Sequence, residues 1–227
     1  MSKALGLTIF SVKWLAFWML IMGAYPLMWD KFFGFNYLET PMFTVIYYLS
    51  MAFLGCYLFF QEELISHLTK KSNSVIMGFF SVLFLLLPSV IESFIPLNSM
   101  TKKVVLEYKF FFPLFDIKAS FSKLSELIFQ QLLIYVCLFK YQKILADKWK
   151  TVGVFTALFF VLHFPLVFIF KGLFSLIFIL PSLIAGFLFS FSVLHFRAGL
   201  ATSYAIHLGF YILVGVIYRF LPVSLLS

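Results

Sequence analysis

Three apolar stretches of this chain each carry an ionisable side chain of a kind that moves protons. "FSKLSELIFQ" holds Glu126, "FFVLH" holds His163, and "AIHLGFY" holds His207 with Tyr211 one helical turn later. An ionisable group at the centre of a membrane helix costs roughly 2.5–3.5 kcal/mol on the insertion scale, so each calls for a compensating partner or role. A carboxylate and two imidazoles sharing a dry cavity can activate water and stabilise an oxyanion. Peptide-bond hydrolysis requires those two things.

Helical spacing puts these groups on defined faces. Ser122, Ser125, Glu126, Phe129 and Gln130 recur at three- and four-residue steps, giving one polar stripe on an otherwise apolar helix. Lys123 stands three residues before Glu126, placed either to pair with it or to snorkel to the interface. Phe159 lies one turn before His163, and Pro165 follows where a kink opens space. Gly199, Ser203, His207 and Tyr211 share a face whose small residues admit a neighbouring helix closely.

Taken singly, a membrane histidine is more often a packing residue than a catalyst. A Glu–His pair alone can be interhelical glue worth about 0.6–2 kcal/mol. The three groups together favour a functional reading. His67 and His195 sit at span ends and read as structural. Glu62 and Glu63 stand near Lys70 and Lys71, as a solvated interface would have them. A zinc site from Glu126, His163 and His207 lacks the His-Glu-x-x-His helix, so no metal and no cofactor is expected.

The elements that must position these residues are membrane helices. Of 227 residues, 63% are hydrophobic and 11% charged, and mean hydropathy is +1.05. That leaves too little polar surface to clothe a water-soluble domain. Apolar runs of spanning length cover about Leu5–Met28, Met42–Phe60, Ser74–Leu97, Phe121–Phe139, Val152–Phe170, Leu173–Phe196 and Ala198–Leu221. The fold class expected is all-α, a polytopic bundle of about seven transmembrane helices with polar residues converging in an intramembrane cavity. It forms a single domain over 1–227, with no period-2 pattern of a membrane barrel. The stretch Lys109–Ser120, broken by Pro113, suits an interfacial or re-entrant piece.

The net charge of +8 comes from lysines in short connections, which suits anionic headgroups and offers no basic face for nucleic acid. Lysines and arginines divide nearly evenly between the two sides, so orientation is weakly encoded, with the N-terminus inside as the working choice. Cys56 and Cys137 fall inside apolar runs and read as buried small hydrophobes. The basic, apolar N-terminus lacks a cleavage site and reads as a first span.

In this order, the three stretches resemble the CAAX-protease and bacteriocin-processing (CPBP, or Abi) family of intramembrane glutamic endopeptidases. That family's motifs are Glu-Glu-x-x-x-Arg, then Phe-x-x-x-His, then His-x-x-x-Asn. Here they correspond to Ser125–Gln130, to Phe159–His163, which is intact, and to His207–Tyr211. The resemblance covers 121–221, leaving 1–97 as three further spans. It implies Glu126, His163, His207 and Tyr211 as catalytic positions, with Ser122, Ser125, Gln130, Phe159 and Ser203 lining the cavity.

The departures are specific. Ser125 replaces the glutamate that the family uses as base, and serine has no basic lone pair at neutral pH. Gln130 replaces the arginine and Tyr211 the asparagine. Loss of one glutamate with the arginine keeps the charge balance. The resemblance therefore implies a multi-pass protein of a bacterial cell membrane, catalytically impaired. It would bind a peptide, a lipid-linked group or a membrane-protein partner, with bacteriocin immunity as one setting. The alternative is an active endopeptidase in which Glu126 and His163 activate water. A solute or proton pathway along the polar stripe is a third reading.

Overall fold

The computed structural model describes residues 3–59, 71–107, 113–169 and 173–220. Glu62, Glu63, His67 and Lys70 lie outside the described residues, as do 109–112 and the side chain of Cys56. Among the described residues the chain is all-helical, with no strand. Its helices are α1 (Lys3–Ala24), α2 (Pro41–Phe59), α3 (Lys71–Phe94), α4 (Ser99–Glu107), α5 (Ile117–Leu145), α6 (Lys148–His163), α7 (Leu173–His195) and α8 (Gly199–Ile217). A wide π turn, Tyr25–Asp30, continues α1 into Lys31–Phe33. Pro113–Phe115 is a single 3-10 turn.

Four stretches are long and apolar enough to cross a membrane: Ala4–Phe33, Asn73–Phe94, Ile117–Leu145 and Gly199–Ile217. Two more apolar helices, Pro41–Gly55 and Ile179–His195, are shorter over their described parts. Helix α6 has 16 residues. At 1.5 Å per residue that is about 24 Å, short of a hydrocarbon core of about 30 Å. Pro165 ends it there. The bilayer is the surrounding this surface fits, since Leu20, Phe53, Phe79 and Leu86 are all exposed.

Helix α5 is the hub. It touches α1, α2, α3, α6, α7 and α8, and most of its length is buried. Asp116 caps its N-terminus, accepting from the backbone N–H groups of Lys118 (2.6 Å) and Ala119 (3.4 Å). Ala146 ends it in the left-handed region at φ 56°, and Asp147 caps α6 through the Lys150 N–H at 3.0 Å. That two-residue turn sets α5 and α6 side by side.

Glycine permits the closest approaches. A Cβ on Gly186 of α7 would lie 3.1 Å from Phe159 Cβ and 3.2 Å from Thr156 Cα of α6. At Gly199, which opens α8, it would meet Val193 Cα at 2.7 Å. The first contact seats α7 on α6, which carries His163, and the second seats α8, which carries His207 and Tyr211, on the end of α7.

Candidate functional site

Proline shapes the cavity. Pro26 lies in the π turn after α1, Pro165 follows α6, and Pro181 is inside α7; all three line one cavity of about 520 Å³. Each proline removes a backbone donor and keeps the preceding turn from closing normally. The three prolines share this space, Pro26 where a helix widens, Pro165 where one has ended and Pro181 within a continuous helix. The polar residues of the lining are Lys123, Glu126 and Gln130 of α5, His163 of α6, Ser182 of α7, and His207 and Tyr211 of α8. Trp18, Met22, Phe159, Leu162, Phe189 and Phe210 supply much of the apolar wall.

Glu126 is buried and accepts three hydrogen bonds. Its Oε1 accepts from Lys123 Nζ at 2.6 Å and from Gln130 Nε2 at 2.6 Å. Its Oε2 accepts from the hydroxyl of Tyr37. Lys123 is as buried as its partner, and its Nζ lies 4.5 Å from the centre of the Tyr211 ring. An i,i+3 spacing brings lysine and carboxylate together on one face, and the desolvated pair neutralises itself.

Tyr37 reaches this carboxylate from the connection between Lys31–Phe33 and α2. Asn36 shapes that connection, accepting from the backbone N–H groups of Leu38 and Glu39, each at 3.0 Å. Burial first, and the Glu126 charge second, hold the Tyr37 hydroxyl well above the ordinary tyrosine range, so it stays a donor. Tyr48 stands 3.3 Å away, hydroxyl to hydroxyl, and Ser122 donates to the Tyr37 carbonyl at 3.0 Å. The rings of Tyr25, Tyr47 and Tyr48 pack edge to face or stacked around this point.

The two histidines differ. His163 donates from Nδ1 to the Phe159 carbonyl at 2.8 Å. His207 lies between the rings of Phe189 (4.8 Å) and Tyr211 (5.8 Å), and its Nδ1 is buried without a hydrogen-bond partner. Among the described residues no hydrogen bond joins Glu126 to either imidazole. Nor do three His, Cys, Asp or Glu side chains gather as metal ligands.

Of the positions singled out from the sequence, Glu126, His163, His207, Tyr211, Gln130 and Phe159 line the cavity. Ser122, Ser125 and Ser203 do not. Ser125 donates to the Ser122 carbonyl at 2.7 Å, and Ser203 accepts from Gln131 Nε2 at 2.5 Å. A helix buried all round has no single inward face, so one stripe serves several neighbours. Sequence reasoning missed Tyr37 and the Gln131–Ser203 bond. Gln131 carries a signal, since a second buried amide beside Gln130 must seek a partner on another helix.

Comparison of the chain with models of protein families, with curated proteins and with solved structures gives no match.

Proposed function

We propose that this chain is a multi-pass, seven-span membrane protein related to the CPBP endopeptidases. Its cavity has lost peptide-bond hydrolysis and now holds a membrane-borne ligand or partner. The observation that carries this reading is the state of Glu126. A general base needs a free lone pair within reach of water and an imidazole or other group to share the proton. Here Lys123 cancels the charge, Gln130 and Tyr37 donate to the same carboxylate, and among the described residues no hydrogen bond joins it to either imidazole. The position that the family resemblance gives to the base is Ser125, whose hydroxyl serves a backbone carbonyl. What remains is a largely apolar chamber with two imidazoles, suited to binding.

The test is a cleavage assay on the full chain in vesicles, using a broad fluorogenic peptide library. Wild type is expected to leave every member intact. Cleavage by wild type that Glu126→Ala abolishes overturns the reading in favour of an active endopeptidase using Glu126 and His163.

A further inference from the structure

The two imidazoles of the cavity present opposite halves of a hydrogen bond. In His163, Nδ1 faces a carbonyl oxygen, which only accepts. That nitrogen therefore carries the proton, and Nε2 of the neutral ring is an acceptor. In His207, Nδ1 is shut away from any partner. An orphaned N–H is rarer in buried protein than an orphaned acceptor, so the proton belongs on Nε2. His207 then offers a donor and His163 an acceptor, both on the wall of one chamber.

Charge narrows the ligand further. The Lys123–Glu126 pair is already closed, so an ionic head entering here finds no free counter-charge. A carboxylate, which only accepts, leaves the His163 lone pair unanswered. A quaternary or primary ammonium leaves the His207 N–H unanswered. A hydroxyl answers both.

Size and access fix the rest. One turn of helix, about 10 Å across and 5.4 Å long, fills roughly 420 Å³. A cavity of about 520 Å³ is on the scale of a turn or so and short for a docking helix of several turns. An extended peptide brings two backbone polar groups every ~3.3 Å, each needing a partner against a mainly apolar wall. A single alkyl chain brings none. Met19 and Leu27 of the lining are also exposed on the outer surface, so the chamber opens sideways toward lipid.

We infer that the cavity takes up a neutral single-chain lipid from the bilayer, its hydroxyl accepting from His207 Nε2 and donating to His163 Nε2. This rests on the non-catalytic reading of the same cavity. The test uses the full chain in vesicles with matched photoreactive long-chain probes ending in a hydroxyl, a carboxylate or a trimethylammonium. A short apolar peptide amide serves as competitor. The alcohol is expected to label cavity-lining residues about tenfold more than either ionic probe, the worth of one enclosed hydrogen bond. His207→Phe keeps a ring in place and should erase that preference. Ala185→Phe, which fills the chamber, should abolish labelling while unfolding midpoints confirm that both variants fold. Labelling blind to the head group, or unchanged in His207→Phe, overturns the inference, as does displacement of the alcohol by the peptide at lower concentration. Peptide cleavage in the same vesicles would overturn the non-catalytic reading and the inference with it, whereas lost head-group preference without cleavage overturns the inference alone.

Discussion

Lys123 and Glu126 lie one turn apart on α5 and form an ion pair 2.6 Å long with both side chains 2% exposed. The pair sits against the cavity, yet it spans no two helices. Its role is to make a carboxylate tolerable inside the bundle, with Tyr37 and Gln130 adding two further donors.

Removing one member should be far worse than removing both. Lys123→Met leaves a buried, uncompensated carboxylate, and breaking such pairs costs about 3–5 kcal/mol. The double change Lys123→Met with Glu126→Gln leaves a neutral, hydrogen-bonding site and should recover most of that loss. Reversible unfolding of the three proteins in the same detergent measures it. A single-variant loss no larger than that of the double variant would show that the charge left behind is not what destabilises the protein.

The proposed relation to the CPBP endopeptidases makes Ser125→Glu the natural way to introduce a second carboxylate. Geometry predicts the reverse of a gain. Ser125 is buried away from the cavity lining and bonded to the Ser122 carbonyl, and among the described residues no ion pair reaches it. The variant should lose several kcal/mol of stability and acquire no peptidase activity, because an unpaired carboxylate is being forced into a packed interface. Cleavage of a reporter peptide by a stably folded Ser125→Glu protein would contradict this placement.

Much of this site is legible in the residues themselves. Glu126 and Gln130 fall four apart and do share the cavity, and Pro165 beside His163 marks a break that opens it. The i,i+3 lysine is equally visible, although its choice between pairing and snorkelling depends on depth. The rest depends on which neighbour covers which side of α5. Ser122 and Ser125 belong to the same periodic stripe but face other parts of the protein. The number of crossings is blurred for a related reason. Hydropathy runs through Pro165 without registering that the helix has stopped before it. Tyr37 left no periodic trace, because a connecting residue that folds inward is defined by its partner eighty-nine positions away.

That tyrosine gives a third prediction. Tyr37→Phe deletes a donor to a charged, buried acceptor and leaves the ring packing in place. Hydrogen bonds to charged groups contribute about 1.5–3 kcal/mol, so unfolding should show a loss of that order. Tyr48→Phe removes only a 3.3 Å hydroxyl contact and should cost under about 1 kcal/mol. The order of the two variants is the check: a milder Tyr37→Phe would mean that the connection does not close over Glu126.

Backbone proximity gives the fourth. Gly199 begins α8 where a Cβ would strike Val193 Cα at 2.7 Å, and backbone cannot swing aside as a side chain can. Gly153 is an exposed glycine inside α6 with nothing within 4 Å of an added Cβ. Gly199→Ala must push α8 off the end of α7, and α8 carries both His207 and Tyr211. A loss above about 1 kcal/mol is expected, by the overpacking rule for close-packed interiors. Gly153→Ala should be neutral or gain up to about 1 kcal/mol from helix propensity. Because the displaced helix also carries the His207 donor, Gly199→Ala should weaken labelling by the long-chain alcohol, and Gly153→Ala should leave it untouched. Matching changes in both variants, in stability and in labelling, would mean that the α7–α8 junction does not hold the histidine in place.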